Sequence, residues 1–159
     1  MTILTLHCTL NNITFFPDQV QLSDPVSEVA FHVNLKESTF FDYLKPVTFD
    51  DVITNIGGAY DVTSGVFTAP VFGTYLFSLT LVCGPNSAMH VGIMKNDRTV
   101  FSSLCNGRND AQNQNGGTTI IHLDKDDRVN VALTFPVRGY EEMYGYHMTS
   151  FSGYLLNKA

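Results

Sequence analysis

The sequence predicts an all-β chain, a sandwich or barrel of many short strands. Three observations predict it. Sustained helical periodicity is absent, period-two alternation recurs along the chain, and turn-rich segments separate the alternating runs at short intervals. Twelve Phe and seven Tyr with no Trp suit pleated, half-buried surfaces better than a helical bundle.

The alternating runs come in chain order. Val29 to Asn34 is the first, and Val47 to Ile53 follows, continuing into Asn55-Ile-Gly-Gly58, a turn where glycine takes positive φ at no steric cost. Gly73 to Val82 is the clearest: Tyr75, Phe77, Leu79 and Leu81 share one face, and Thr74, Ser78 and Thr80 the other. Further runs are Met89 to Met94, Thr99 to Leu104, Thr118 to Leu123, Val129 to Phe135 and Met148 to Leu156. Between them lie Cys83 to Ser87, Lys95 to Asp97, Asn106 to Gly117 and Asp124 to Asp127, all rich in turn formers. Many short strands at this spacing indicate two packed sheets or a closed barrel.

A chain of 159 residues fits one domain, burying roughly 70% of its unfolded surface. The net charge is −6, and the nine Lys and Arg are scattered singly. That excludes the basic footprint of a nucleic-acid binder and the clustered charge of an anionic-membrane binder. No apolar run reaches the length of a membrane-spanning helix. The patch Ile3 to Leu6 lacks a basic leader, a long apolar stretch and a cleavage site, so it does not form a signal-peptide pattern.

Cys8, Cys83 and Cys105 give an odd count without a Cys-x-x-Cys pair, which excludes the common zinc and redox spacings. Two readings stay open: three buried thiols, or a Cys83–Cys105 bridge in an oxidising compartment with Cys8 left for another chain. Cys83 ends one strand and Cys105 ends the second strand after it, so a meander leaves both at one end of the sandwich. Asn12-Ile13-Thr14 is one glycosylation acceptor.

The stretch from Phe49 to Phe77 resembles the C1q domain signature through Phe49, Asn55, Tyr60, Phe67, Gly73, Tyr75 and Phe77, with Leu79 where the family has Phe or Tyr. Val29-Ala-Phe31, Gly65 to Pro70, Leu123 to Val129 and Phe151-Ser-Gly-Tyr-Leu155 resemble other family segments, Asp126 replacing a turn glycine. Asp tolerates left-handed backbone better than most side chains. The resemblance covers residues 28–157, after an N-terminal leader of residues 1–27. It implies a C1q/TNF-like jelly-roll β-sandwich of two antiparallel sheets, forming a homotrimer. The signature rings fill the space between the sheets and are fold residues. Glycine nowhere recurs every third residue, so no collagen-like stalk is present.

The resemblance further implies a secreted recognition module, not an enzyme. Its expected ligands are microbial glycans or other pattern molecules of innate immunity, in a lectin-like mode. A cerebellin-like or TNF-like protein ligand for a cell-surface receptor is the alternative. The phosphate loop, the dinucleotide turn and the Gly-x-Ser-x-Gly elbow are absent. His7, His32, His90, His122 and His147 form no local metal motif, and His90 and His122 are expected to be partly buried. Asn109 to Gly116 places Ala111 and His122 where a calcium hand needs carboxylates, so it is expected to be an exposed, flexible loop. Family heads often hold calcium, and the matching stretch Tyr144 to Thr149 has no carboxylate. Glu141 and Glu142, a few residues earlier, are the candidate calcium ligands, with plain solvated glutamates as the alternative.

Recognition is expected on Arg138 to His147, the segment that leads into the closing strand. Tyr offers rigid contact area with a hydroxyl at small entropic cost. Arg138, Tyr140, Glu141, Tyr144 and Tyr146 are the candidate ligand-binding residues. The competing expectation is that the tyrosines pack over the core or across a trimer axis.

Overall fold

The computed structural model describes residues 28–107, 112–136 and 141–158. Cys8, Arg138 and Tyr140 lie outside them. Among the described residues there are twelve strands and no helix. Sheet A contains β1 (Ala30–Asn34), β2 (Thr39–Phe41), β3 (Asp51–Ile56), β6 (Gly73–Cys83), β9 (Asn113–Leu123), β11 (Glu141–Met143) and β12 (Ser150–Lys158). Sheet B contains β4 (Tyr60–Asp61), β5 (Val66–Thr68), β7 (Ala88–Lys95), β8 (Arg98–Asn106) and β10 (Arg128–Phe135), in the order β4-β5-β10-β7-β8. All strand pairs are antiparallel, giving a jelly-roll sandwich. In sheet A, β6 pairs with β12 along one edge and with β9 along the other. The sheet continues from β12 through β1 to β3, while β11 meets the last residue of β6 and carries β2.

The period-two alternation in β6 resolves as expected: Tyr75, Phe77, Leu79 and Leu81 are buried between the sheets. Phe31 from β1 packs at ring-centroid distances of 5.0–5.3 Å against Tyr60, Phe67 and Phe151, and at 6.2 Å against Phe77. Such pairs contribute about 0.5–1.5 kcal/mol each beyond their buried area. A Cβ on Gly153 would meet the Phe31 and Phe77 rings at 2.6–2.7 Å, so the glycine of the closing strand makes room for both.

The signature residues hold one another in place. Asn55 accepts from the Tyr60 N–H at 3.2 Å and donates to the Tyr60 carbonyl at 2.8 Å, which closes the turn through Gly57 and Gly58. Both glycines have positive φ, 81° and 62°, as the turn requires. The Tyr60 hydroxyl donates to the Phe49 carbonyl and accepts from the Phe49 N–H, and burial pushes it up to about 12. Asp126 stands at φ 70° in the turn before β10, where the family has glycine. Beside it the Asp127 carboxylate accepts from Lys95 at 2.9 Å and from Asn96 at 2.7 Å, and these bonds lower its carboxyl to about 2.

Several expected boundaries move. Val47 and Phe49 are fully buried but precede the strand, which begins at Asp51. The segment bonds instead to β10, through the Val47 N–H to the Val131 carbonyl at 2.7 Å. The segment Asn106 to Gly117 is not all turn. β8 runs to Asn106 and β9 starts at Asn113, because the C-terminal half of β6 offers it a ladder from Thr80↔Gly116 to Cys83↔Asn113. Pairing partners thus override the poor strand propensity of Asn, Gln and Gly. A Cβ on Gly116 would collide with the Leu79 carbonyl oxygen, so the strands approach closely there. The closing strand begins at Ser150, two residues after the expected Met148.

Candidate ligand-binding and assembly surfaces

Two surfaces of sheet A carry chemistry beyond the core. The first is its apical end, where the chain passes from β11 to β12. The Glu142 N–H donates to Ser87 Oγ at 3.0 Å, the Tyr144 N–H to the Val82 carbonyl at 2.8 Å and the Tyr146 N–H to the Lys36 carbonyl at 3.0 Å. The segment is therefore a fastened element containing β11, not a free loop. Gly145 is required by a close approach, since a Cβ there would overlap the backbone of Glu37.

Of the expected ligand-binding residues, Glu141, Tyr144 and Tyr146 are described. Tyr144 is half-buried, whereas Tyr146 is 62% exposed at φ 53°. Beside it His147 stands 3.0 Å from Asp51 Oδ2 and 3.2 Å from the Asn34 side-chain amide. A cavity of about 640 Å³ opens next to them, lined by Asn34, Gln112, Gln114, His147, Met148 and Ser150 among others. Amide, hydroxyl and imidazole groups thus face this space, which His32, Thr80 and Val82 of the outward face of sheet A also line.

The candidate calcium ligands Glu141 and Glu142 both lie against the protein's own backbone. Glu141 Oε2 accepts from the Ala88 N–H at 2.9 Å, and the Glu142 carboxylate lies against Gly84. Neither is a freely solvated glutamate. No three His, Cys, Asp or Glu side chains gather as metal ligands among the described residues. Two other expectations need correction: His90 and His122 are exposed, because their strand alternation turns them outward. His90 packs on Phe135 at 5.2 Å, and His122 sits edge-on to Phe72 at 4.5 Å.

Cys83 of β6 and Cys105 of β8 form a disulfide with Cα atoms 5.9 Å apart, tying sheet A to sheet B. The Cys83 N–H also donates to Cys105 Sγ at 3.1 Å.

The second surface is the outward face of sheet A. Strand register places Ile56, Ala30, Tyr154, Leu76 and Ile120 side by side on β3, β1, β12, β6 and β9. Ile56, Tyr154 and Ile120 are 46%, 44% and 59% exposed, so an apolar row crosses five strands on the solvent side. The next row is Thr54, His32, Ser152, Ser78 and Thr118, all polar. A groove of about 550 Å³ runs between the two. Sequence reasoning missed this row. Its one local signal is Leu76, an apolar residue between Thr74 and Ser78 on the polar side of β6.

With this geometry in hand, comparison with known families is decisive, since the model of the C1q domain matches residues 30–156. The chain belongs to the C1q domain family. Among solved structures, the C1q domain is similar to the globular domain of zebrafish complement 1qA. The two are 20% identical at a TM-score of 0.71, over 82% of this chain and 99% of that one. It is also similar to the Eiger TNF of S. frugiperda (13% identity, TM-score 0.67, 83% and 93% covered) and to murine APRIL (16%, 0.63, 81% and 99%). At these identities the likeness speaks for the C1q/TNF jelly roll. The C1q signature departs at Leu79, whose side chain is buried in the core cluster with Phe151. No helix among the described residues is long and apolar enough to cross a membrane.

Proposed function

We propose that the chain is an extracellular homotrimeric recognition head that binds glycans or comparable pattern molecules and performs no catalysis. The observation that carries this reading is the apolar row on the outward face of sheet A. Soluble monomers rarely leave an extended apolar stripe to water, and a closed symmetric assembly covers it. Family membership supports a ligand-binding module. The Cys83–Cys105 bridge supports an oxidising, extracellular setting. The ligand end is the outer part of the apical cavity, at Gln112, Gln114 and His147, whose side chains supply hydrogen bonds, with the exposed Tyr146 ring next to His147 in the chain. Its other lining residues His32, Thr80, Val82 and Ser150 belong to the outward face of sheet A.

An array of glycans and cell-wall polymers, probed with and without calcium, tests this reading. Captured ligands competed by free sugar and weakened at least tenfold by Tyr146→Ala support it. An array silent in both conditions contradicts the glycan reading and favours a protein receptor as partner.

A further inference from the structure

The outward face of sheet A carries almost no charge. From β12 it presents Ser150, Ser152, Tyr154 and Leu156, and from β6 it presents Thr74, Leu76, Ser78, Thr80 and Val82. On β3 the outward residues are Thr54 and Ile56, with Asp51 at one corner bonded to His147. Glu28 borders the groove at the opposite corner, and Lys158 ends β12. The imidazoles of the face are His32 on β1, His147 at the Asp51 corner, which lines the same cavity as His32, and His122 at the far end of β9. His122 lies 3.3 Å from Thr74 Oγ1 and, like His147, is exposed, whereas His32 is half-buried.

His32 Nδ1 lies 2.6 Å from Ser152 Oγ. Its row neighbours Thr54, Ser152, Ser78 and Thr118 are hydroxyls, so no carboxylate of that row pairs with a charged ring. In a monomer, water solvates the imidazolium. Once a second copy covers the face, that solvation is removed, and burying an unpaired charge is costly.

We propose that assembly through this face is proton-gated by His32: the trimer forms with the ring neutral and opens when the ring takes up a proton. This rests on the homotrimer reading above. The sign follows from linkage. The assembled state binds fewer protons than the separated chains, so association weakens as pH falls through the imidazole range, by up to about tenfold per protomer for each pH unit. Such a gate would release the heads in an acidified compartment while leaving each sandwich folded.

Sedimentation velocity at about pH 7.5 and about pH 5, with circular dichroism to confirm folding, tests the gate on the wild type, His32→Gln, His32→Thr and His122→Gln. The wild type and His122→Gln are expected to be trimers at the higher pH and mainly monomers at the lower. His32→Gln and His32→Thr should remain trimers at both. A wild-type trimer that persists at the lower pH overturns the gate, as do His32 variants that dissociate like the wild type or fail to assemble at the higher pH. A wild-type monomer at the higher pH removes the homotrimer reading itself, and the gate with it; the neutral-pH arm therefore distinguishes the two failures.

Discussion

The two faces of sheet A are built from the same strands with opposite logic. The inward face carries Phe31, Tyr75, Phe77, Leu79 and Phe151, rings and branched chains buried against sheet B. The outward face sets an apolar row from Ile56 to Ile120 beside a row of hydroxyls that includes His32. Inward residues make the fold. Outward ones leave it indifferent and are free to encode assembly, so substitutions on the two faces should separate stability from oligomeric state.

The largest expected effect is on the inward face. Phe31→Ala removes a ring that touches four other aromatics, and should cost about 3–5 kcal/mol of stability by denaturant titration. Less than about 1 kcal/mol would mean that the ring cluster does not hold the sheets together. Next comes the link between the sheets. Replacing Cys83 and Cys105 together by Ser should cost about 3 kcal/mol, the scale for releasing a loop of this length. Alkylation of the native protein without reductant, read by intact mass, should leave both cysteines unmodified. Modification of both would remove the bridge from the account.

On the outward face, Ile120→Asp should cost about 1 kcal/mol or less in folding yet reduce the solution mass threefold. A variant that stays assembled would dismiss the row as the interface. A smaller effect is expected away from both faces, at Asp127. Its carboxyl is lowered from 3.8 to about 2 in the folded chain. The folded state therefore binds fewer protons, and the contribution is present above about pH 4 and drains away as pH falls towards 2. Thermal melts of Asp127→Asn should lose that component of acid sensitivity. Unchanged sensitivity would assign it to other carboxylates.

Legibility in the sequence tracks the distance over which a feature is defined. The β6 alternation, the glycine turn after β3 and the left-handed Asp126 are local, and each stands where the residue pattern places it. The strands β2, β4, β5 and β11 span two or three residues, too few for any period to show. The N-terminal half of β9 is strand only because β6 lies beside it. For the site, the residue types of the apical segment were legible, but the exposure of Tyr146 beside half-buried Tyr144 comes with the left-handed turn at Tyr146 and His147, which no local pattern announces. The apolar row was legible only at Leu76. Its members come from five strands, and only register brings them together.

The central claim is that the outward face of sheet A assembles the chain into a trimer, and the mass of the wild-type protein in solution tests it most directly. Multi-angle light scattering at neutral pH, across the micromolar range, should give three times the 17.6 kDa chain mass. A single-chain mass throughout that range would contradict the account.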